Sequence, residues 1–149
     1  MSQRQRSDEE AVKGFGMPRA LILRGRDNFA RLFAEGRSLR SGSLVLKVRI
    51  VETVESPAVI TAFIVPKRHG RAVDRNRVRR LIREIWRHER PAFLATLDRP
   101  MLIHLGLIWS GPTAATRRPT HDEVGADLRK GLVRLRRHLS TEGSTPTDT

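Results

Sequence analysis

An apolar stripe at helical spacing runs through the most basic stretch of this chain. Val78, Leu81, Ile82 and Ile85 recur at i, i+3, i+4 and i+7, the period of a helix that buries one face. Asn76, Arg79, Arg80, Arg83 and Arg87 fall on the opposite side, so the helix separates a docking face from a cationic one. Asp74 stands where an N-cap would accept from free backbone N–H groups. Arg75 and Arg77 flank the helix start, where orphan N–H groups add to an anion-attracting field. A short helix of this kind can rest on a core and present guanidinium groups to a polyanion.

The helix lies between two apolar runs. Residues 58–65 are rich in β-branched side chains and read as a strand central in its sheet; Met101–Trp109 reads as a second. Strand, helix and strand in that order can form a parallel pair. Upstream, residues 43–51 alternate, with Leu44, Leu46, Val48 and Ile50 on one face and Val45, Lys47, Arg49 and Val51 on the other. That is a half-buried strand with a mildly basic second face. Residues 27–35 read as a short helix, with Phe29, Leu32 and Phe33 at i, i+3 and i+4 and Gly36 as its stop. Pro66 ends the strand before it, and Lys67, Arg68, His69, Gly70 and Arg71 form a basic loop. Near the C-terminus, Thr120 and Glu123 have capping-box spacing. The last helix then buries Val124, Leu128, Leu132, Leu135 and Leu139, leaving Arg129, Lys130, Arg134, Arg136 and Arg137 outside the stripe. The order α-β-β-α-β-α, with three strands, predicts a two-layer α+β sandwich. One domain is expected over 19–139, with disordered tails at 1–18 and 140–149.

Charge narrows the class of partner. The formal net charge is +13, and of 29 basic residues 25 are Arg. The guanidinium fork matches phosphate oxygens and stacks on bases, so the bias favours nucleic acid. A GC-rich genome would raise Arg in the same way, and the two readings are compatible. Residues 67–90 hold ten Lys and Arg against three acids. Such a run can be a plain solvated helix face. Segregation from the apolar stripe, continuity with the basic loop and the shortage of neutralising acids favour a polyanion site. The arginines of the last helix surround everything but its core stripe and read as a solvated face.

Other chemistries find little support. There is no Cys, so disulfides and thiolate metal sites are excluded. His69, His88, His104, His121 and His138 are scattered without ligand spacing, and read as structural or surface residues. Asp8, Glu9 and Glu10 lie in the expected tail, while Glu84 and Glu89 read as ion-pair partners among arginines. No nucleophile–base arrangement and no P-loop is present. Catalysis by this chain alone and a bound cofactor are therefore not expected. No apolar run reaches the ~18 residues of a membrane span, and the N-terminus lacks the apolar core of a signal peptide. A soluble cytoplasmic protein is expected, with no membrane partner. Phe29 and Phe33 have the spacing of core aromatics, and with no Tyr in the chain an RRM-like stacking platform is not expected.

The run Ala72-Val73-x-Arg-Asn-Arg-Val-x-Arg-Leu-Ile-Arg-Glu closely resembles the pattern of the protein subunit of bacterial ribonuclease P. The resemblance extends upstream through residues 26–36 and the strand ending Val65-Pro66-Lys67-Arg68-His69-Gly70. It covers about residues 19–139 and is strongest up to Arg87. It implies a ribonucleoprotein that removes the 5′ leader of precursor tRNA, with catalytic groups and Mg2+ belonging to the RNA subunit. By the same resemblance, Lys67, Arg68, Arg71, Arg75, Asn76, Arg77, Arg79, Arg80 and Arg83 are the expected contacts to the catalytic RNA. Phe29, Phe33, Val45 and Lys47 are the expected cleft for the single-stranded leader. The family's strand–helix–strand crossover is left-handed, an exception to the usual rule. Three positions depart from the pattern. Lys47 stands where an aromatic is common, Pro66 replaces a small polar residue and removes an N–H donor, and residues 111–119 form a longer segment than usual. Two other classes remain open on the residues alone. One is a ribosomal or assembly protein that binds structured RNA without a role in cleavage. The other is a DNA-binding helix, disfavoured because an Arg-dominated face suits phosphates more than base edges. DNA is not the expected partner.

Overall fold

The computed structural model describes residues 17–113 and 117–144. Helix α1 (Arg26–Glu35) is followed by strands β1 (Arg37–Ser41), β2 (Leu44–Thr53) and β3 (Ala58–Ile64), helix α2 (Ala72–Ala95), strand β4 (Met101–Trp109) and helix α3 (His121–Ser144). Short 3-10 turns precede α1 at Arg19–Leu21 and α2 at Lys67–His69. The sheet runs β1-β2-β4-β3, with β1–β2 and β2–β4 antiparallel and β3–β4 parallel.

Two expectations about the sheet are corrected here. There are four strands, not three: Arg37–Ser41 pairs with β2 as an edge strand, although its sequence, Arg-Ser-Leu-Arg-Ser, carries no apolar run. The strand at residues 58–64 is also not central, because β4 takes the interior place beside it. Its continuous burial has another cause. Val59 and Phe63 face the main core, while Ala62 faces a second, smaller cluster with Leu23 and Leu32. Its outer edge is met by the incoming chain, where Leu23 N–H donates to the Thr61 carbonyl at 2.9 Å and Ile22 bridges Thr61.

The alternation in β2 sorts the two faces. Leu44, Leu46 and Val48 are buried with Ile103, Leu105, Leu107 and Trp109 of β4, beneath the helix layer. Helix α2 contributes Val78, Ile82, Ile85, Trp86 and Phe93 to that core, and α3 contributes Val124, Leu128, Leu132, Leu135 and Leu139. This is the expected α+β sandwich, with the long helices layered on one face of the sheet, and its gathered apolar side chains are the main driving force for the fold. Leu81 is only half-buried, at the border of the stripe. Helix α1 lies on the other face, where Leu32 seats against Gly106 of β4. A Cβ at Gly106 would come within 3.2 Å of Leu32 Cδ2.

The hairpin and α3 are tied together by one carboxylate. Gly42, at φ 58°, turns the chain between β1 and β2, and Asp127 of α3 fills the space beside it. Asp127 Oδ2 accepts from Ser43 N–H at 2.9 Å and from Ser43 Oγ–H at 2.7 Å, while its backbone carbonyl accepts from Ser41 Oγ–H at 2.6 Å. Thr120 caps α3 through Glu123 N–H at 3.2 Å, so half of the expected capping box forms. Glu123 turns its carboxylate to Arg117 at 2.5 Å instead. Helix α3 continues through Ser144, inside the segment assigned to the C-terminal tail. The disorder expected for residues 1–16 and 145–149 concerns positions outside the described residues. Among the described residues, no helix is long and apolar enough to cross a membrane.

Candidate nucleic-acid interface

Helix α2 begins one turn after the end of β3, and the intervening loop sets the geometry of the basic cluster. Pro66 accepts from His69 N–H at 3.0 Å, closing the 3-10 turn that exposes Lys67 and Arg68 while burying the His69 ring. The helix is far longer than its basic half suggested, 24 residues, with Pro91 inside it. Its N-cap is Arg71, not Asp74 as expected. The chain enters the helix earlier than the cap rule placed it. Asp74, now in the first turn, is buried and lies 3.5 Å from Arg71 Nε. Its charge still favours the positive end of the helix dipole.

The nine residues expected to contact RNA fall into two groups. Lys67, Arg68, Arg71, Asn76, Arg77 and Arg80 are exposed around the start of the helix. Arg75, Arg79 and Arg83 are half-buried, so the clean separation of cationic and apolar faces is corrected: the flank beside β3 is both. Arg75 Nε donates to the Gly70 carbonyl at 3.2 Å and Arg79 Nε to the Phe63 carbonyl at 3.3 Å. Arg83 lies over the Phe63 ring, 5.4 Å from its centroid, in a cation–π contact. Burial, with Arg75 and Arg83 on either side, lowers the pKa of Arg79 below that of a free guanidinium. Arg79 and Arg83 stitch α2 to Phe63 near the end of β3, and Arg75 ties the helix to the loop that precedes it. Further along, Glu84 pairs with Arg87 at 2.7 Å and His88 at 3.1 Å, and the Arg87 contact leads in holding its carboxyl below the usual range. Glu89 reaches Arg129 of α3 at 3.6 Å. Both glutamates thus act as ion-pair partners.

The sheet face under α1 and α1 itself carry the four residues expected to receive the leader. Register places Arg40, Val45, Ile108 and Ile64 in one row across the four strands, and Ser38, Lys47, Gly106 and Ala62 in the next. Helix α1 covers the second row near Gly106, while Val45, Ile108 and Ile64 remain half-buried. Phe33 is 47% exposed, an unusual position for a Phe with core spacing, and Lys47 Nζ sits 5.9 Å from its ring centroid. Lys47 also donates to Ser38 Oγ at 3.2 Å. Phe29 differs from the other three: it packs against the Leu23–Leu32–Ala62 cluster. Ile64, Ile108 and Arg40 belong to the same row but carry no signal in the sequence, since only strand register puts them beside Val45. At the far end of this face, His104 is buried, and burial followed by Arg49 keeps its pKa below 6.5.

The open row ends at Ile64, and three residues later, at Lys67, the chain enters the basic loop. A half-buried, largely apolar row of the sheet and a cationic helix start therefore adjoin at one end of the sheet. That arrangement can hold a single strand on one side and a folded polyanion on the other.

Comparisons with known proteins agree with these features. A family model described as Ribonuclease P matches residues 17–135. The ribonuclease P protein component of Coprothermobacter proteolyticus is 41% identical over 70 residues, covering 47% of this chain and 55% of that protein. That of Chlorobaculum tepidum is 42% identical over 78 residues, covering 50% and 51%. The chain thus spans about half the length of these two relatives. The Chloroflexus aurantiacus component is 32% identical over 117 residues, 78% of this chain and 82% of that protein. The fold matches the RNase P protein of Staphylococcus aureus with a TM-score of 0.59 at 18% identity, covering 78% of this chain and 96% of that one. For the Thermotoga maritima protein the TM-score is 0.58 at 24% identity, over 76% and 96%. With most of its length matched by the family model and by the Chloroflexus relative, the chain belongs to the ribonuclease P protein family.

Proposed function

We propose that this chain is the protein subunit of ribonuclease P: it binds the catalytic RNA and the 5′ leader of precursor tRNA, and so supports endonucleolytic 5′ maturation of tRNA in the cytoplasm. The observation that carries this reading is the adjacency of the open sheet cleft and the basic start of α2, in a chain of this family. Lys67, Arg68, Arg71, Asn76, Arg77 and Arg80 face outward and take the phosphates of the catalytic RNA. Arg79 and Arg83 brace the helix against β3, and Arg75 braces it against the basic loop, while their remaining donors are directed to the same ligand. Val45 and Lys47, walled by Phe29 and Phe33, receive the leader. With Lys47 in the cleft, the leader is held by charge as well as by the Phe33 face.

In this reading the chemistry, and the Mg2+ it uses, sits in the RNA partner. The protein neutralises phosphate repulsion and positions the substrate. A ribosomal or assembly role is the rival, and RNA recovered with the full-length chain from its own cells separates the two. One enriched non-ribosomal RNA together with precursor tRNA supports the proposal; ribosomal RNA alone overturns it.

A further inference from the structure

Helix α2 has a second flank, turned away from β3. Arg77, Val78, Arg80 and Leu81 on that flank, together with Arg118 and Pro119 from the segment leading into α3, line an open cavity of about 340 Å3. Three guanidinium-bearing side chains share the cavity with three apolar ones. Among the described residues, Arg77, Arg80 and Arg118 make no ion pair or side-chain hydrogen bond, whereas the neighbouring Arg117 is held by Glu123 at 2.5 Å. The Arg117–Glu123 pair fixes the segment beside the helix, and Thr120 anchors it as the α3 cap.

The mixture of surfaces identifies the ligand class. A site for phosphate alone has no use for the half-buried Leu81 and Pro119, and a site for an uncharged apolar group would not gather three unpaired cations. An unpaired nucleotide offers both parts: a flat base that packs on apolar side chains and guanidinium planes, and phosphates that accept from their edges. The volume lies at the lower end of ligand cavities and suits one nucleotide, not a groove of duplex. We propose that this cavity holds a single unpaired nucleotide of the catalytic RNA, its base against Leu81 and Pro119 and its phosphates on Arg77, Arg80 and Arg118. The inference rests on the ribonuclease P reading, and it gives a binding role to Arg118, in the segment where this chain departs from the family pattern.

The absence of Cys makes a direct test possible. Arg118→Cys carries a single photo-crosslinker in the full chain bound to its cognate catalytic RNA, and the crosslink is expected at an unpaired nucleotide. Arg118→Ala is expected to weaken RNA affinity roughly tenfold. Arg118→Lys, which keeps the charge but loses the planar fork, is expected to recover only part of that affinity. Removing the base of the crosslinked nucleotide should weaken the parent chain and leave Arg118→Ala with no further penalty. Full recovery by Lys, crosslinks confined to paired nucleotides, or independent addition of the two effects would each overturn the nucleotide site. Lys67→Ala/Arg68→Ala, outside the cavity, is the control for the parent reading. Weaker binding there with no change at Arg118 rejects the cavity alone, and no change at either overturns the RNA contact of the basic loop as well.

Discussion

Asp127 shows how much one side chain does in a small fold. It accepts twice from Ser43 and sits beside the left-handed Gly42, so it holds the β1–β2 hairpin against α3. Asp127→Ala leaves the Ser43 amide without its partner, and should cost about 1–3 kcal/mol in denaturant unfolding. Two buried histidines make a different prediction. Burial, followed by Arg68 for His69 and by Arg49 for His104, depresses both below 6.5. As pH falls through that value the unfolded chain takes up protons that the folded chain refuses, so stability falls with it and levels off only below the folded pKa values. The melting temperature should therefore drop between pH 7 and pH 5.5, and His69→Gln/His104→Gln should shrink that drop. An equal drop in the double variant would mean other groups set it. These residue roles were only partly legible in the sequence. The alternation of Leu44 to Lys47 assigned Val45 and Lys47 to their face because a strand has a period of two. The cap at Arg71 was hidden because Asp74 also satisfies the helix start, from inside the first turn.

Helix α2 divides by function along its length as well as around it. Its first half carries the cationic cluster, and its second half buries Trp86 and Phe93, whose rings lie 6.1 Å apart. Ile85→Ala should cost roughly 2–5 kcal/mol of folding stability while leaving RNA affinity of the folded chain unchanged. Lys67→Ala/Arg68→Ala should do the reverse, and stability with RNA affinity measured on both variants checks the division. Pro91 sits inside this helix without an N–H to donate, and is exposed. Its replacement by Ala should raise stability by up to about 3 kcal/mol, read as a higher melting temperature. Among the elements, the long helices and the strands with apolar faces were visible in sequence, because burial imposes their period. Strand β1 was not: its polar residues extend only because β2 offers free backbone groups. The interior place of β4 was hidden as well. Residues 58–65 look equally buried, since Leu32 and the Ile22–Leu23 segment cover β3 from outside the sheet.

For the whole molecule, a formal charge of +13 on 149 residues is a cost to the folded state that a polyanion relieves. The crowding of Arg75, Arg79 and Arg83 at one end of α2 places part of that repulsion on the face proposed to meet RNA. RNA binding should weaken steeply with salt, and each substitution that frees one phosphate should lower the log–log slope by about one. The central claim is that this charge supports a catalytic RNA. It is tested most directly by cleavage of precursor tRNA with the cognate catalytic RNA across a Mg2+ titration, with and without the full chain. The protein alone should cleave nothing, and the RNA should cleave at a lower Mg2+ concentration when the protein is added. A Mg2+ requirement unchanged by the protein would contradict the claim.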